Sequence, residues 1–436
     1  MRFISPILPR RQVVWAMAIL LTTVGTTAAQ PIVPVARIGD DIAPKIETNP
    51  LPKLNLGQCL SIAYEKQPKL AALRASVSSA EAGQRGLESA RLLGALSADF
   101  KFRRQQASTG VCAATAELEQ ATHDVTQAVV WTYYSVVYAK EQVKVAREAV
   151  EFVDYYRNLV DKIVNAKEGG NKEINKITLN RMVSRLAGGE LLLIKAQSGV
   201  ERSQAALREA MGVDYNYIFE PADEELPDFA KIAMKRESII DLAQERRGEV
   251  TMASLASDVT RLEAYSQWSV RFRFRVQTFA AGGDIHARTI PSGSKDGDYR
   301  PDAIGPEMPT MMVGNRQTRS ERAWALATRS EAVLEKTKNL VALEAENAYI
   351  EYHYAGLSME KAKKQADSAN SNLMTLKEVA GDQVTTATAL QQLLEAQEEA
   401  AKGQAAYNEA VYQRISALAN IERITAGGIR VNYPGR

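Results

Sequence analysis

Three histidines, His123, His286 and His353, and two cysteines, Cys59 and Cys112, are the side chains of this 436-residue chain best suited to proton transfer, nucleophilic attack or metal binding. Their spacing supports none of these. The histidines stand alone in sequence, and the cysteines lack the CxxC spacing that marks a zinc or redox site. Asp296-Gly297-Asp298 has the flavour of a calcium loop, but the later glutamate of an EF-hand loop is missing, so a solvated turn is the better reading. No catalytic constellation, metal site or cofactor site is expected. The remaining chemistry-bearing pattern is electrostatic. Lys101, Arg103, Arg271, Arg273 and Arg275 alternate with apolar neighbours in "ALSADFKFRRQ" and "SVRFRFRVQTF". Period-two alternation with aromatic and β-branched residues marks a strand with two unlike faces, one greasy and one cationic. A transmembrane barrel strand, with lipid outside and water inside, has this pattern; so does a soluble edge strand. A cationic row facing a water-filled lumen would favour anions, and facing solvent it would be solubilising only.

The elements that would position these residues are mostly helical. Val125, Val129, Thr132, Val136, Ala139, Val143, Ala146, Val150, Val153, Arg157, Val160 and Val164 alternate steps of four and three, a coiled-coil seam. A second row, Tyr138, Val145, Ala149, Phe152, Tyr156, Leu159 and Ile163, runs about 100° round the same helix. One seam binds one neighbour, and two seams imply a neighbour on each side. The helix from about Thr109 to Lys167 would be about 90 Å long, more than one globular domain accommodates. Near the C-terminus, Leu390, Leu394, Gln397, Ala401, Gln404, Asn408, Val411, Ile415 and Leu418 form one row. Leu393, Ala396, Ala400, Gly403, Tyr407 and Ala410 form the next. Rows this poor in large side chains suit close helix-to-helix packing.

The helical territories repeat. "IAYEKQPKLAALRASVSSAEA" from Ile62 overlies "LAQERRGEVTMASLASDVTRL" from Leu242; Tyr133 and Tyr138 overlie Tyr349 and Tyr354; Gly170 and Leu207 overlie Gly381 and Leu418. The order and near-constant shift argue for duplication. The expected layout is a signal peptide over 1–30, a Pro-rich segment over 31–53, one repeat over 54–218, a linker over 219–236, a second repeat over 237–423 and a tail over 424–436. Residues 1–30 carry Arg10-Arg11, the apolar run "VVWAMAILLTTVGTT" and Thr27-Ala28-Ala29, the parts of an export signal; an uncleaved anchor is the alternative. No cysteine follows the cleavage site, as a lipoprotein anchor would need. The formal charge of +2 gives no footprint for nucleic acid. Later segments lack the uninterrupted apolar length of a membrane helix, so any crossing of a bilayer must be made by strands.

This succession resembles the TolC-type outer-membrane efflux proteins over nearly the whole mature chain. "LNLGQCLSIAYEKQPKLAALRASVSSAEAG" matches the first helix, "VVWTYYSVVYAKEQVKVAREAV" the long descending helix, and "LLEAQEEAAKGQAAYNEAVYQRISALANI" the last. In that last segment Leu394-Glu395-Ala396-Gln397, Tyr407, Ala410, Tyr412 and Leu418 fall where the family keeps Leu-x-Ala-Gln, an aromatic, Ala, Tyr and Leu. The resemblance implies a mainly α fold: long antiparallel coiled-coil helices in two tandem repeats, forming a trimeric α-helical barrel with a short or reduced β-strand region for an outer-membrane β-barrel. It implies a homotrimer in the outer membrane with a periplasmic extension, acting with a periplasmic adaptor protein and an inner-membrane transporter as the exit duct of a tripartite efflux or type I secretion system. It places Gly169, Gly170, Asn171, Glu173, Asn175, Gly381, Asp382 and Gln383 at the periplasmic tips, as aperture or adaptor contacts; ordinary solvated turns are the alternative. Two departures stand out. The first repeat has only about sixteen residues between Leu93 and Thr109, too few for two spanning strands of roughly 9–11 residues each. Gly381 lies farther ahead of Leu-x-Ala-Gln than the family's glycine. A periplasmic scaffold with a TolC-like helical body and no functional barrel is therefore the competing reading. An enzyme is not expected. The two cysteines are expected far apart and unpaired.

Overall fold

The structure is a computed structural model that describes residues 51–90, 94, 97–165, 174–228, 234–279, 308–380 and 386–436. Its elements are β1 Lys53–Leu54, α1 Leu56–Lys66, α2 Pro68–Ser89, α3 Phe100–Asn165, α4 Lys176–Met211, β2 Glu220–Pro221, α5 Arg236–Arg246, α6 Gly248–Ser269, β3 Arg275–Gln277, β4 Met311–Val313, α7 Arg316–Ala380 and α8 Ala387–Ile424. The fold is mainly α, built on antiparallel long helices. The helix lengths recur: 11 and 22 residues for α1 and α2, then 11 and 22 for α5 and α6. The long helices α3 and α7 have 66 and 65 residues, and the returning helices α4 and α8 have 36 and 38. Cys59 and Ala63 of α1 are fully buried, as are Ile239 and Ala243 at the matching positions of α5; Leu207 of α4 and Leu418 of α8 are likewise fully buried.

Local chemistry explains the breaks. A reciprocal capping box starts α1, with the Asn55 side chain accepting from the Gln58 N–H and the Gln58 side chain accepting from the Asn55 N–H. Gln67 then adopts an extended backbone, φ −63° and ψ 117°, the conformation forced on a residue before proline, and Pro68 opens α2 where its missing N–H costs nothing. Arg247 does the same between α5 and α6, φ −73° and ψ 133°, without a proline. β1 and β2 pair in parallel, Lys53 with Glu220 and Leu54 with Pro221, and so tie the start of the first set of helices to the segment that leads into the second.

The two rows on α8 lie against α7 and α3. Both are largely buried, including Leu390, Leu393, Leu394, Ala396, Ala400, Gly403, Ala410 and Leu418. A Cβ on Gly403 would stand 3.1 Å from the Cα of Ala366 on α7, so the backbones meet almost directly. This is the packing that the small residues serve. No helix among the described residues is long and apolar enough to cross a membrane.

One expectation is overturned. Residues 95–105 alternate like a strand, but from Phe100 onward the chain is already α3, so Lys101 and Arg103 lie on a helix. The alternation runs only three steps. Helix satisfies the same side chains better: Arg103 Nε donates to Asp99 one turn back at 3.1 Å, Phe102 stacks on Tyr265, and Gln106 is buried.

Arg247, fully buried, is held by Glu249 at 2.8 and 2.9 Å and by Glu344 of α7. Arg423 of α8 shares Glu344 and lies 3.7 Å from Asp124 of α3. The cluster therefore joins the α5–α6 hinge to α7, α8 and α3. Burial alone would raise the Glu344 carboxyl, but the guanidinium groups of Arg247 and Arg423 outweigh it and hold the group below the ordinary carboxylate range. A carboxyl depressed in this way stabilises the fold above its unfolded pKa, about 4.3, and the contribution is lost as pH falls through the folded value. Glu344→Gln leaves two buried guanidinium groups short of a charge and is expected to lower unfolding free energy by about 3 kcal/mol at pH 7. Urea unfolding at pH 7 and pH 3.5 checks this. The gap between wild type and variant should narrow at the lower pH; a gap constant with pH would refute the assignment.

Candidate functional site

Where the helices end and the strand pair begins, the side chain of Glu263 on α6 is 1% exposed and organises the junction. Arg103 of α3 grips it with both terminal nitrogens, one at 3.1 Å, and also donates to the carbonyl of Gln277 at 2.9 Å. Gln106 and Gln267 donate to it at 3.0 and 2.8 Å, and the Phe279 N–H at 3.3 Å. Gln267 passes the network to Arg319 on α7, whose Nε donates to Gln267 Oε1 at 3.0 Å. The rest of this buried guanidinium serves carbonyls: Val270 at 2.7 Å, Gly314 at 2.6 Å and Arg273. A cation placed on the exposed carbonyls at the end of α6 also suits the helix dipole. Arg319 thus fixes both arms of the strand pair against the helix ends.

β3 and β4 pair antiparallel, Arg275 with Val313, Val276 with Met312 and Gln277 with Met311. Val276 and Met312 are buried, and Met312 packs with Met308, Ala264 and Ala323. The apolar row expected along residues 270–276 therefore turns inward only at Val276. Phe272 is 98% exposed and Phe274 is also exposed.

The five cations of the expected row do not share one surface. Arg271, Arg273 and Arg275 are exposed on the approach to β3 and within it. Lys101 is exposed on α3 with its ammonium over the Phe102 ring. Arg103 is paired with Glu263 within the buried network and lies on a helix, a correction to its expected strand position that follows from the helical start of α3. Glu263 and Arg319 were missed by sequence reading. The available signal was a charged residue on a row of small side chains, as in Arg319, Ala323 and Ala327 spaced four apart.

Of the tip residues, Gly169, Gly170, Asn171, Glu173, Gly381, Asp382 and Gln383 lie outside the described residues. Asn175 caps α4, its side-chain oxygen accepting from the N–H groups of Ile177 and Thr178 at 2.9 and 3.2 Å. Thr386 caps α8 in the same way, accepting from the Ala389 N–H at 3.2 Å. Below these caps Val160, Ile174, Met182, Leu373, Leu390 and Leu393 form a small core.

No group of three or more metal-ligating side chains is found among the described residues, and His286 and Asp296 lie outside them. His353 stacks on Tyr349 and meets Tyr354 edge-on. Cys59 is buried and Cys112 exposed, both free; burial pushes the Cys59 thiol up to about 12, which removes the reactive thiolate.

No protein-family model matches the chain, and no curated protein matches its sequence. Solved structures do match, and they show the fold, which is that of the TolC-type outer-membrane channels. The outer-membrane channel OprN matches over 86% of this chain and 90% of its own, with a TM-score of 0.65 and 16% identity. The outer-membrane protein VceC from Vibrio cholerae matches over 86% and 97%, at 0.62 and 14%. The open state of the MtrE outer-membrane channel of Neisseria gonorrhoeae matches over 86% and 90%, at 0.60 and 13%.

Two outcomes are expected. Arg319→Ala strips the donor from the carbonyls of Val270, Arg273 and Gly314, each costing about 1–3 kcal/mol if left unpaired. Hydrogen exchange should then speed up at Arg275–Gln277 and Met311–Val313 while α8 stays protected; unchanged exchange in the strands would dismiss the role given to Arg319. A maleimide applied to the native mature protein should modify Cys112 at least tenfold faster than Cys59, as read by mass spectrometry.

Proposed function

We propose that the chain is exported by the signal at residues 1–30, forms a homotrimer, and serves as a passive exit duct across periplasm and outer membrane. In this role it has no chemistry of its own and acts with a periplasmic adaptor protein and an inner-membrane transporter, in a tripartite efflux or type I secretion system. The observation that carries the reading is the likeness in fold to outer-membrane channels over most of the chain, 86% of this chain against 90% of OprN. The internal repeat, read as 54–218 and 237–423 about a linker at 219–236, supports it, because two similar halves supply two similar sets of wall helices. The tip residues from Gly169 to Asn175 and from Gly381 to Gln383 are proposed as aperture and adaptor contacts. Asn175 acts there by holding the end of α4. The exposed Arg271, Arg273 and Arg275, with Lys101, are proposed to face the lumen and favour anions.

A second reading has one specific support. Because α3 begins at Phe100, the first repeat has few residues left for strands, which favours a periplasmic scaffold with a TolC-like helical body and no functional barrel.

Single-channel conductance of the purified mature protein in a planar bilayer separates the two. Discrete long-lived steps with anion preference are expected, and Arg271→Gln with Arg273→Gln and Arg275→Gln should reduce that preference. Silence from a folded trimer would select the scaffold.

A further inference from the structure

α3, α7 and α8 border a groove of about 630 Å³. It is lined by aromatic rings and amides. Trp131 on α3 is 53% exposed and Tyr354 on α7 is 62% exposed. Tyr412 on α8 shares the groove wall, and its ring stacks on Tyr138 at 5.0 Å and 14°. Tyr354 is supported edge-on by His353, which itself stacks on Tyr349. These supports hold the rings in place before anything binds. At the Asn420 end, Gln127 donates to Asn420 at 3.2 Å. Glu351 is the sole carboxylate on the wall, and no lysine or arginine lines it among the described residues.

Trp131 and Tyr133 are two positions apart, about 200° round the helix. The Tyr133 hydroxyl faces β1, donating to the Leu54 carbonyl at 3.4 Å, so the indole is turned away from the β1–β2 belt.

We propose that this groove is a binding site for planar aromatic cations. Exposed, pre-positioned rings offer stacking and cation–π surfaces, and a lone carboxylate without a neighbouring cation selects positive charge. The site rests on the duct reading in one respect: with this face on the bore, the ligand would be a solute in transit. The groove would retain such solutes briefly on their way out, making the tunnel selective by residence rather than by size.

Ethidium is the probe. Equilibrium dialysis against the detergent-solubilised mature protein should give saturable binding, weakened at least tenfold by Trp131→Ala and several-fold by Tyr354→Ala. Trp131→Phe should keep most of the affinity, and Glu351→Gln should weaken ethidium while sparing neutral 1-aminoanthracene. Circular dichroism should show the same helical content in all variants. Ethidium binding unchanged in both Trp131→Ala and Tyr354→Ala overturns the site, and equal affinity of Glu351→Gln for ethidium overturns its charge preference. Conductance on the same samples reads the duct separately. Conductance with Trp131-independent binding rejects the groove and leaves the duct standing, whereas Trp131-dependent binding without conductance supports the groove and rejects the duct.

Discussion

The architecture depends on a charge that is buried and fully surrounded. Arg247 stands at the hinge between a short and a medium helix, and water cannot reach it. Its two carboxylate partners come from α6 and from α7, and the second of these is shared with Arg423 of α8. Long helices packed through small side chains slide easily, because rows of alanine and glycine offer few interlocking knobs. A buried ionic cluster has no such freedom, since any change of register strands a charge in a low-dielectric interior. It therefore sets the position of α7 and α8 along their length, and the rest of the helical layer follows.

The strand junction applies the same logic at the far end of the helices. Arg103, Glu263, Gln267 and Arg319 form a continuous chain across α3, α6 and α7. Backbone carbonyls of both strand arms are drawn onto its last member. The strands themselves are short among the described residues, so their direction is set by this polar collar more than by their own ladder. The exposed phenylalanines and arginines beyond it then project from a rigid base.

How much of this was legible in the sequence depends on range. The seams on α3 and α8 and the glycine that lets α8 approach Ala366 express local periodicity, and they could be read directly. The start of α3 could not. Phe100, Phe102 and Arg103 alternate like a strand, and the partners that Phe102 and Arg103 meet on the helix, Tyr265 and Glu263, lie about 160 residues away. Glu263, Arg319 and Glu344 carry no local motif that separates a buried anchor from a solvated charge. The groove beside Trp131 is hidden for a related reason: its aromatic residues sit at ordinary core spacings on three different helices, and only their exposure in the assembled layer distinguishes them.

The two hinges differ in one respect with a consequence for how this chain can change over time. Gln67 and Arg247 occupy equivalent bends, yet Gln67 only donates to the carbonyls of Glu209 and Ala210 at 3.0 Å. Any side chain that reaches those carbonyls can replace it, and Pro68 preserves the bend regardless. Arg247 has no proline behind it and three charged associates around it. A neutral residue there takes from Glu249 the guanidinium that holds it, so this bend tolerates fewer substitutions than the first. The two bends, alike in backbone, are therefore unequal in their tolerance of substitution.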